Sequence, residues 1–158
     1  KYTFGFNGSV NFKTLDLSIG TYGTAGGKIY NGKKASRGDF RDNIEAEIAR
    51  NRWTPNNPST TIPRANLNQE RASSYFLEKG DFFRINNLSL GYTLGSDMLS
   101  GIKIRSLRVY GSVQNLATFT SYSGFTPEIN NGSVLAGGIE SNIYPTTRTF
   151  VLGLNVGF

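Results

Sequence analysis

The sequence has 158 residues and a net charge of +6, enough for one ordinary domain with a sizeable core. It contains no cysteine and no histidine, which removes disulfides, thiolate sites, the commonest zinc ligand and every histidine-dependent triad. No apolar run reaches the length of about 18 residues that a membrane-spanning helix needs, an absence that leaves barrel strands open. In chain order, residues 2–12 alternate strictly: Tyr2, Phe4, Phe6, Gly8, Val10 and Phe12 fall on one face, Thr3, Gly5, Asn7, Ser9 and Asn11 on the other. That period of two predicts a strand. Lys13-Thr14 makes a tight turn into a second strand, with Leu15, Leu17 and Ile19 opposite Asp16, Ser18 and Gly20.

Gly26-Gly27 breaks the alternation, and residues 26–81 read as a long connection. Inside it Asp39 is placed to cap a short helix carrying Phe40, Ile44 and Ile48 on one face, with Asp42, Glu45 and Glu47 suiting the helix dipole. The run Trp53-Thr54-Pro55-Asn56-Asn57-Pro58 stops that helix. Much of the positive charge collects here, in Lys28, Lys33, Lys34, Arg37, Arg41, Arg50, Arg52, Arg64 and Arg71. A connection this long inside a domain points to function or to a partner.

Alternation resumes at Phe82, with Leu88, Leu90, Tyr92 and Leu94 against Asn87, Ser89, Gly91 and Thr93. A short Gly95–Gly101 connection leads to a strand in which Leu107, Val109 and Val113 oppose Ser106, Arg108, Tyr110, Ser112 and Gln114. A second long stretch, residues 115–146, precedes a final strand with Phe150, Leu152, Leu154, Val156 and Phe158 on one face. Five strands are thus joined short, long, short, long. In an antiparallel sheet this puts both short turns at one end and both long loops at the other, the sorting of an outer-membrane barrel. Tyr2, Phe12, Phe82, Tyr92 and Phe158, near strand ends, fit interfacial aromatic girdles. The spacing Gly153-x-x-Val156-x-Phe158 resembles the terminal signal read by barrel-assembly machinery, with Leu152 departing from the polar residue usual there.

Four stretches, GDFFRINNLSLGYTL (80–94), LRVYGSVQNLATFTSYSGFTPEIN (107–130), YPTTRTFVLGLNVGF (144–158) and NRWTPNNPSTTIPRA (51–65), together resemble the carboxyl end of the SusC/RagA family of TonB-dependent outer-membrane transporters. The resemblance implies an all-β, antiparallel transmembrane barrel of 22 strands, of which this chain is the last five, the plug and earlier strands lying outside it. It implies import of glycan or peptide fragments across an outer membrane, without covalent chemistry or cofactor. Implied partners are a SusD-like surface lipoprotein, the rest of the barrel and plug, TonB-ExbB-ExbD acting through the missing N-terminal part, and membrane lipid with lipopolysaccharide.

On that reading 26–81 and 115–146 are extracellular, and Trp53, Tyr122 and Phe125 are candidate contacts to substrate or lipoprotein lid, set against simple loop packing. Asp16, Arg108, Tyr110 and Gln114 face the lumen as candidate plug contacts, since an enclosed charge seeks a partner. Gly153, Val156 and Phe158 serve assembly. An enzyme is not expected: the acids around residues 39–47 fall on a solvated helix, and GTAGGK (23–28) lacks phosphate-loop spacing, with Ile29 where Ser or Thr should follow. No nucleic-acid module fits. Two alternatives stay open: a barrel with a secretion or assembly task, and a soluble all-β binding or adhesion domain whose apolar face meets a second sheet.

Overall fold

The computed structural model describes residues 1–36, 43–65, 73–95, 99, 101, 104–129, 136–141 and 143–158. Its strands are β1 (Tyr2–Phe12), β2 (Leu15–Ala25), β3 (Lys28–Tyr30), β4 (Leu77–Lys79), β5 (Phe82–Leu94), β6 (Ser106–Thr120) and β7 (Thr149–Gly157), with short helices α1 (Gly32–Ser36) and α2 (Ala46–Asn51). The chain divides into a sheet unit, Lys1–Gly27 with Gly80–Ser121 and Pro145–Phe158, and a loop unit, Lys28–Lys79 with Tyr122–Tyr144.

The sheet unit is one antiparallel sheet in the order β1-β2-β5-β6-β7. The five strands expected from alternation are all present. β2 ends at Ala25, just before the expected break at Gly26, whereas β6 runs further than expected, passing residue 115 to end at Thr120. Asn115 sustains β6 by taking a left-handed φ of 53°, which asparagine tolerates better than most residues. At the first tight turn Lys13 does the same at 54°, and the Thr93 amide donates to Thr14 O at 2.7 Å, tying the turn to β5.

The apolar face is widely exposed, with Phe6, Val10, Phe12, Phe150, Leu152 and Leu154 among its bare side chains; Leu152 is 89% accessible. Each such side chain left in water forgoes about 2 kcal/mol of burial, so a patch this size is built for an apolar surrounding. No described helix is long and apolar enough to cross a membrane. The opposite face is polar. One expectation is corrected here: Phe82 is buried and does not belong to the exposed aromatic set. The ladders of β5 with β2 and with β6 both shift between Ile85 and Asn87. Across that break the odd and even positions of β5 exchange faces. Phe82 packs edge-on against Tyr22, and Phe83 takes the outer position, stacked with Phe119 at 6.4 Å.

In the loop unit, β3 and β4 pair antiparallel, and Ile139 bridges Tyr30 in parallel. The second long stretch is therefore folded onto the first. Ile29, Phe76 and Tyr122 form its buried core. The expected helix begins only at Ala46; Glu45 stands at its N-cap without a side-chain cap bond, its carboxylate being paired with Lys33 instead. Asp39, Phe40 and Asp42, expected to open that helix, lie outside the described residues. The Arg52 amide closes the helix on Ile48 O at 2.9 Å.

Tyr110 and Gly153 face each other across β6 and β7. A Cβ on residue 153 would sit 2.5 Å from the Tyr110 hydroxyl oxygen, inside the space its ring covers. Gly153→Leu is therefore expected to displace Tyr110 and cost about 1–3 kcal/mol, read as a lower urea midpoint, with an unchanged midpoint speaking against this packing.

Candidate functional site

The polar face of the sheet brings together residues far apart in sequence. Arg108 on β6 grips Asp16 on β2 with two parallel hydrogen bonds, Nε to Oδ1 at 2.8 Å and Nη2 to Oδ2. The fork-to-fork geometry is the strongest form of this pair. Between them lies β5, where residue 91 is glycine; a Cβ there would stand 2.5 Å from Arg108 Nη2 and against the Asp16 carboxylate. Glycine opens the window through which the pair spans three strands. Asp16 and Arg108, expected as separate contacts to another element, are thus each other's partner. The Arg108 guanidinium also lies 4.8 Å from the Tyr110 ring centre, while Gln114 remains exposed.

Further along the same face Arg84 is 2% accessible. Its Nε donates to Thr118 Oγ1 at 2.8 Å and its Nη1 to the Tyr22 hydroxyl at 3.1 Å, with the Tyr22 and Phe82 rings beside it. The register shift in β5 is what turns Arg84 inward. Simple alternation from Leu88 would have placed it on the apolar side, and nothing local in the sequence marks the shift except the paired Asn86-Asn87.

The loop unit holds a polar knot. Asn31 caps α1 by accepting from the Lys34 amide at 2.8 Å, and its Nδ2 donates to Glu78 Oε1 and to Ser123 Oγ, each at 3.1 Å. Ser123 donates its amide and its hydroxyl to the Glu78 carboxylate, both at 2.9 Å, with Lys34 Nζ 3.6 Å away. Glu140, 1% accessible, takes the Lys33 amide on Oε2 at 2.7 Å. Its backbone carbonyl fills the place a Cβ on residue 32 would occupy, which is why the residue after the Asn31 cap is glycine.

Of the expected loop contacts, Tyr122 is buried in the core of this unit, and Phe125 is half exposed beneath Lys33, whose Nζ is 4.2 Å from the ring centre. Trp53 is partly exposed beside the Thr54–Asn57 turn. Val156 and Phe158 are exposed, Phe158 at 81%.

Burial opposes charge on Glu78, yet the Ser123 amide and hydroxyl, the Asn31 amide and the Lys34 charge outweigh it and hold its carboxyl below the ordinary 4.5. Burial, then the charges of Glu140 and Glu78, push the Tyr122 phenol up. A depressed carboxyl stabilises the fold above the unfolded value, and that contribution fades as pH falls through the folded one. The loop unit is therefore expected to hold at neutral pH and loosen below about pH 4.5, seen as faster hydrogen exchange around Asn31 and Ser123. Glu78→Gln should flatten that acid dependence; an unchanged profile would contradict the knot.

No family model matches the sequence. Among curated proteins, TonB-dependent receptor P3 of Formosa agariphila is 34% identical over 166 residues, covering 99% of this chain and 16% of the relative. TonB-dependent receptor SusC of Bacteroides thetaiotaomicron is 34% identical over 90 residues, 54% of this chain and 8% of the relative. Among solved structures, a chain of the RagAB peptide importer in its open-open state matches with a TM-score of 0.80 and 27% identity, covering 99% of this chain and 17% of that one. This chain spans under a fifth of these relatives' length. They are receptors and importers, not enzymes. A five-stranded antiparallel sheet with a bare apolar face, similar in sequence and fold to these proteins, is a portion of a barrel wall, and the chain belongs to the SusC/RagA family of TonB-dependent receptors.

Proposed function

We propose that this chain is part of the wall and of the outer loops of an outer-membrane, TonB-dependent importer of peptide or glycan nutrients, working with a SusD-like surface lipoprotein. The observation that carries the reading is the exposed apolar face of the sheet, backed by a polar face with internally paired charges. Lipid supplies the apolar surrounding, and the polar face lines the interior. The plug and the TonB contact belong to the parent chain outside these residues. The loop unit, closed by the Glu78 knot, stands on the outer surface, where Trp53 and Phe125 meet lid or cargo and the basic loop residues meet lipopolysaccharide phosphates. Similarity to a peptide importer and to SusC supports nutrient uptake as the task.

Deleting the gene for the full-length parent in its host is expected to abolish growth on casein peptides or on maltodextrins as sole carbon source. Detergent extraction of the parent should bring a surface lipoprotein with it. Normal growth on both mixtures, with the parent recovered in the soluble fraction, would sink this reading. Gly153, Val156 and Phe158 then act in assembly: Phe158→Asp in the parent places a charge at the lipid face and should lower the heat-modifiable barrel in the membrane fraction severalfold. Undiminished barrel would remove that role.

A further inference from the structure

Asn31 is followed by Gly32, the pairing in which an asparagine side chain is most readily lost. With no Cβ on residue 32, its amide nitrogen is free to swing close to the asparagine carboxamide. That nitrogen, giving up its proton, bonds to the side-chain carbonyl carbon of Asn31. The bond from this carbon to Nδ2 breaks, and Nδ2 leaves as ammonia carrying the proton. Water then opens the cyclic imide, leaving aspartate or its isomer with the backbone routed through the side chain.

The fold cannot avoid this pair. Residue 32 has to be glycine, because the Glu140 carbonyl occupies the place of a Cβ. Residue 31 has to present one acceptor and two donors, which at this length means a carboxamide. Its Oδ1 accepts from the Lys34 amide at 2.8 Å, and its Nδ2 donates to Glu78 Oε1 and Ser123 Oγ at 3.1 Å each. The same contacts hold the carboxamide still. Turning its carbon towards the Gly32 nitrogen breaks three hydrogen bonds, in a residue only 1% accessible. One net hydrogen bond corresponds to a factor of about five, so three slow the reaction about a hundredfold relative to the open chain.

The product does not fit the surroundings that held the reactant. Aspartate at this position keeps the acceptor for Lys34 but puts a carboxylate oxygen where Nδ2 stood, 3.1 Å from Glu78 Oε1. Two carboxylates this close repel, and no donor lies between them. The Ser123 hydroxyl has one hydrogen and already gives it to Glu78. Loss of ammonia is irreversible, so a loop unit that opens long enough to react does not close again as before.

We propose that Asn31 is a site of spontaneous deamidation, held in check by Glu78 and Ser123 while the loop unit is closed. The reaction converts a transient opening of that unit into permanent loss of its hydrogen-bond network. Nothing in this depends on what the parent protein transports.

The test uses the full-length parent purified in detergent and kept in mildly alkaline buffer at body temperature. Trypsin cutting after Lys28 and Lys33 releases residues 29–33, in which Asn31 is the sole asparagine, and mass spectrometry follows its conversion to the acid. Conversion in the native parent is expected to be about a hundredfold slower than in the heat-unfolded parent kept in urea, and Ser123→Ala should speed it about fivefold. Asn7-Gly8 in β1 is the internal reference, since Ser123→Ala should leave its rate unchanged. Equal rates in native and unfolded parent, no effect of Ser123→Ala, or equal acceleration at both pairs overturns the role of the network. The product is tested directly: Asn31→Asp should speed hydrogen exchange around Ser123 severalfold, and adding Glu78→Gln, which restores a donor between the two side chains, should slow it again. Exchange that Asn31→Asp leaves unchanged, or that Glu78→Gln does not bring back, overturns the irreversible step.

Discussion

Backbone pairing across β2, β5 and β6 satisfies the amide groups of those strands along both edges, and the rest of the sheet depends on it. Once main-chain donors and acceptors are spoken for, a strand can border hydrocarbon on one side and water on the other without an unpaired polar group. The two-residue repeat then assigns each side chain to one medium. This is why so little of the sheet unit is buried in the ordinary sense: its apolar residues have no core of their own chain to enter, and on the polar face it is the charged residues that pair laterally. The charged side chains of the polar face follow the same logic, Arg84 buried and the Asp16–Arg108 pair partly exposed. Arg84 and the Asp16–Arg108 pair are placed where neighbouring strands supply hydroxyls, rings or a counter-charge.

Much of this was legible in the sequence because strand alternation and tight turns are local properties. Residues 2–12 and their Lys13-Thr14 turn could be read directly, and the sorting of short and long connections led from strands to a barrel wall. The register shift near Asn86 was not legible, since it depends on how β2 and β6 together receive β5. That one step moved Phe82 from the expected outer set to the interior and brought Arg84 with it. The Asp16–Arg108 pair joins residues on strands that are not even neighbours; only the missing side chain at Gly91 hints that something crosses there.

The loop unit shows the opposite balance. Its secondary structure is sparse, in helices of five and six residues and strands of three, and such pieces carry almost no periodic signal. What specifies it is a set of polar contacts between segments separated by tens of residues. Asn31 and Gly32 look like an ordinary turn dipeptide until Glu78, Ser123 and Glu140 are seen around them. Two stretches that read as independent loops are one folded body.

That last feature bears on how such proteins diversify. Surface loops are usually treated as exchangeable parts, each free to lengthen or be replaced between paralogues. Here residues 28–79 carry the carboxylate and the helix cap, and residues 122–144 carry the serine and the second acid that complete them. A chimera that transplants one stretch without the other inherits half of a hydrogen-bond network and buries its remainder unpaired. Recombination within the family should therefore carry the two stretches together, as a linked pair encoded some forty residues apart.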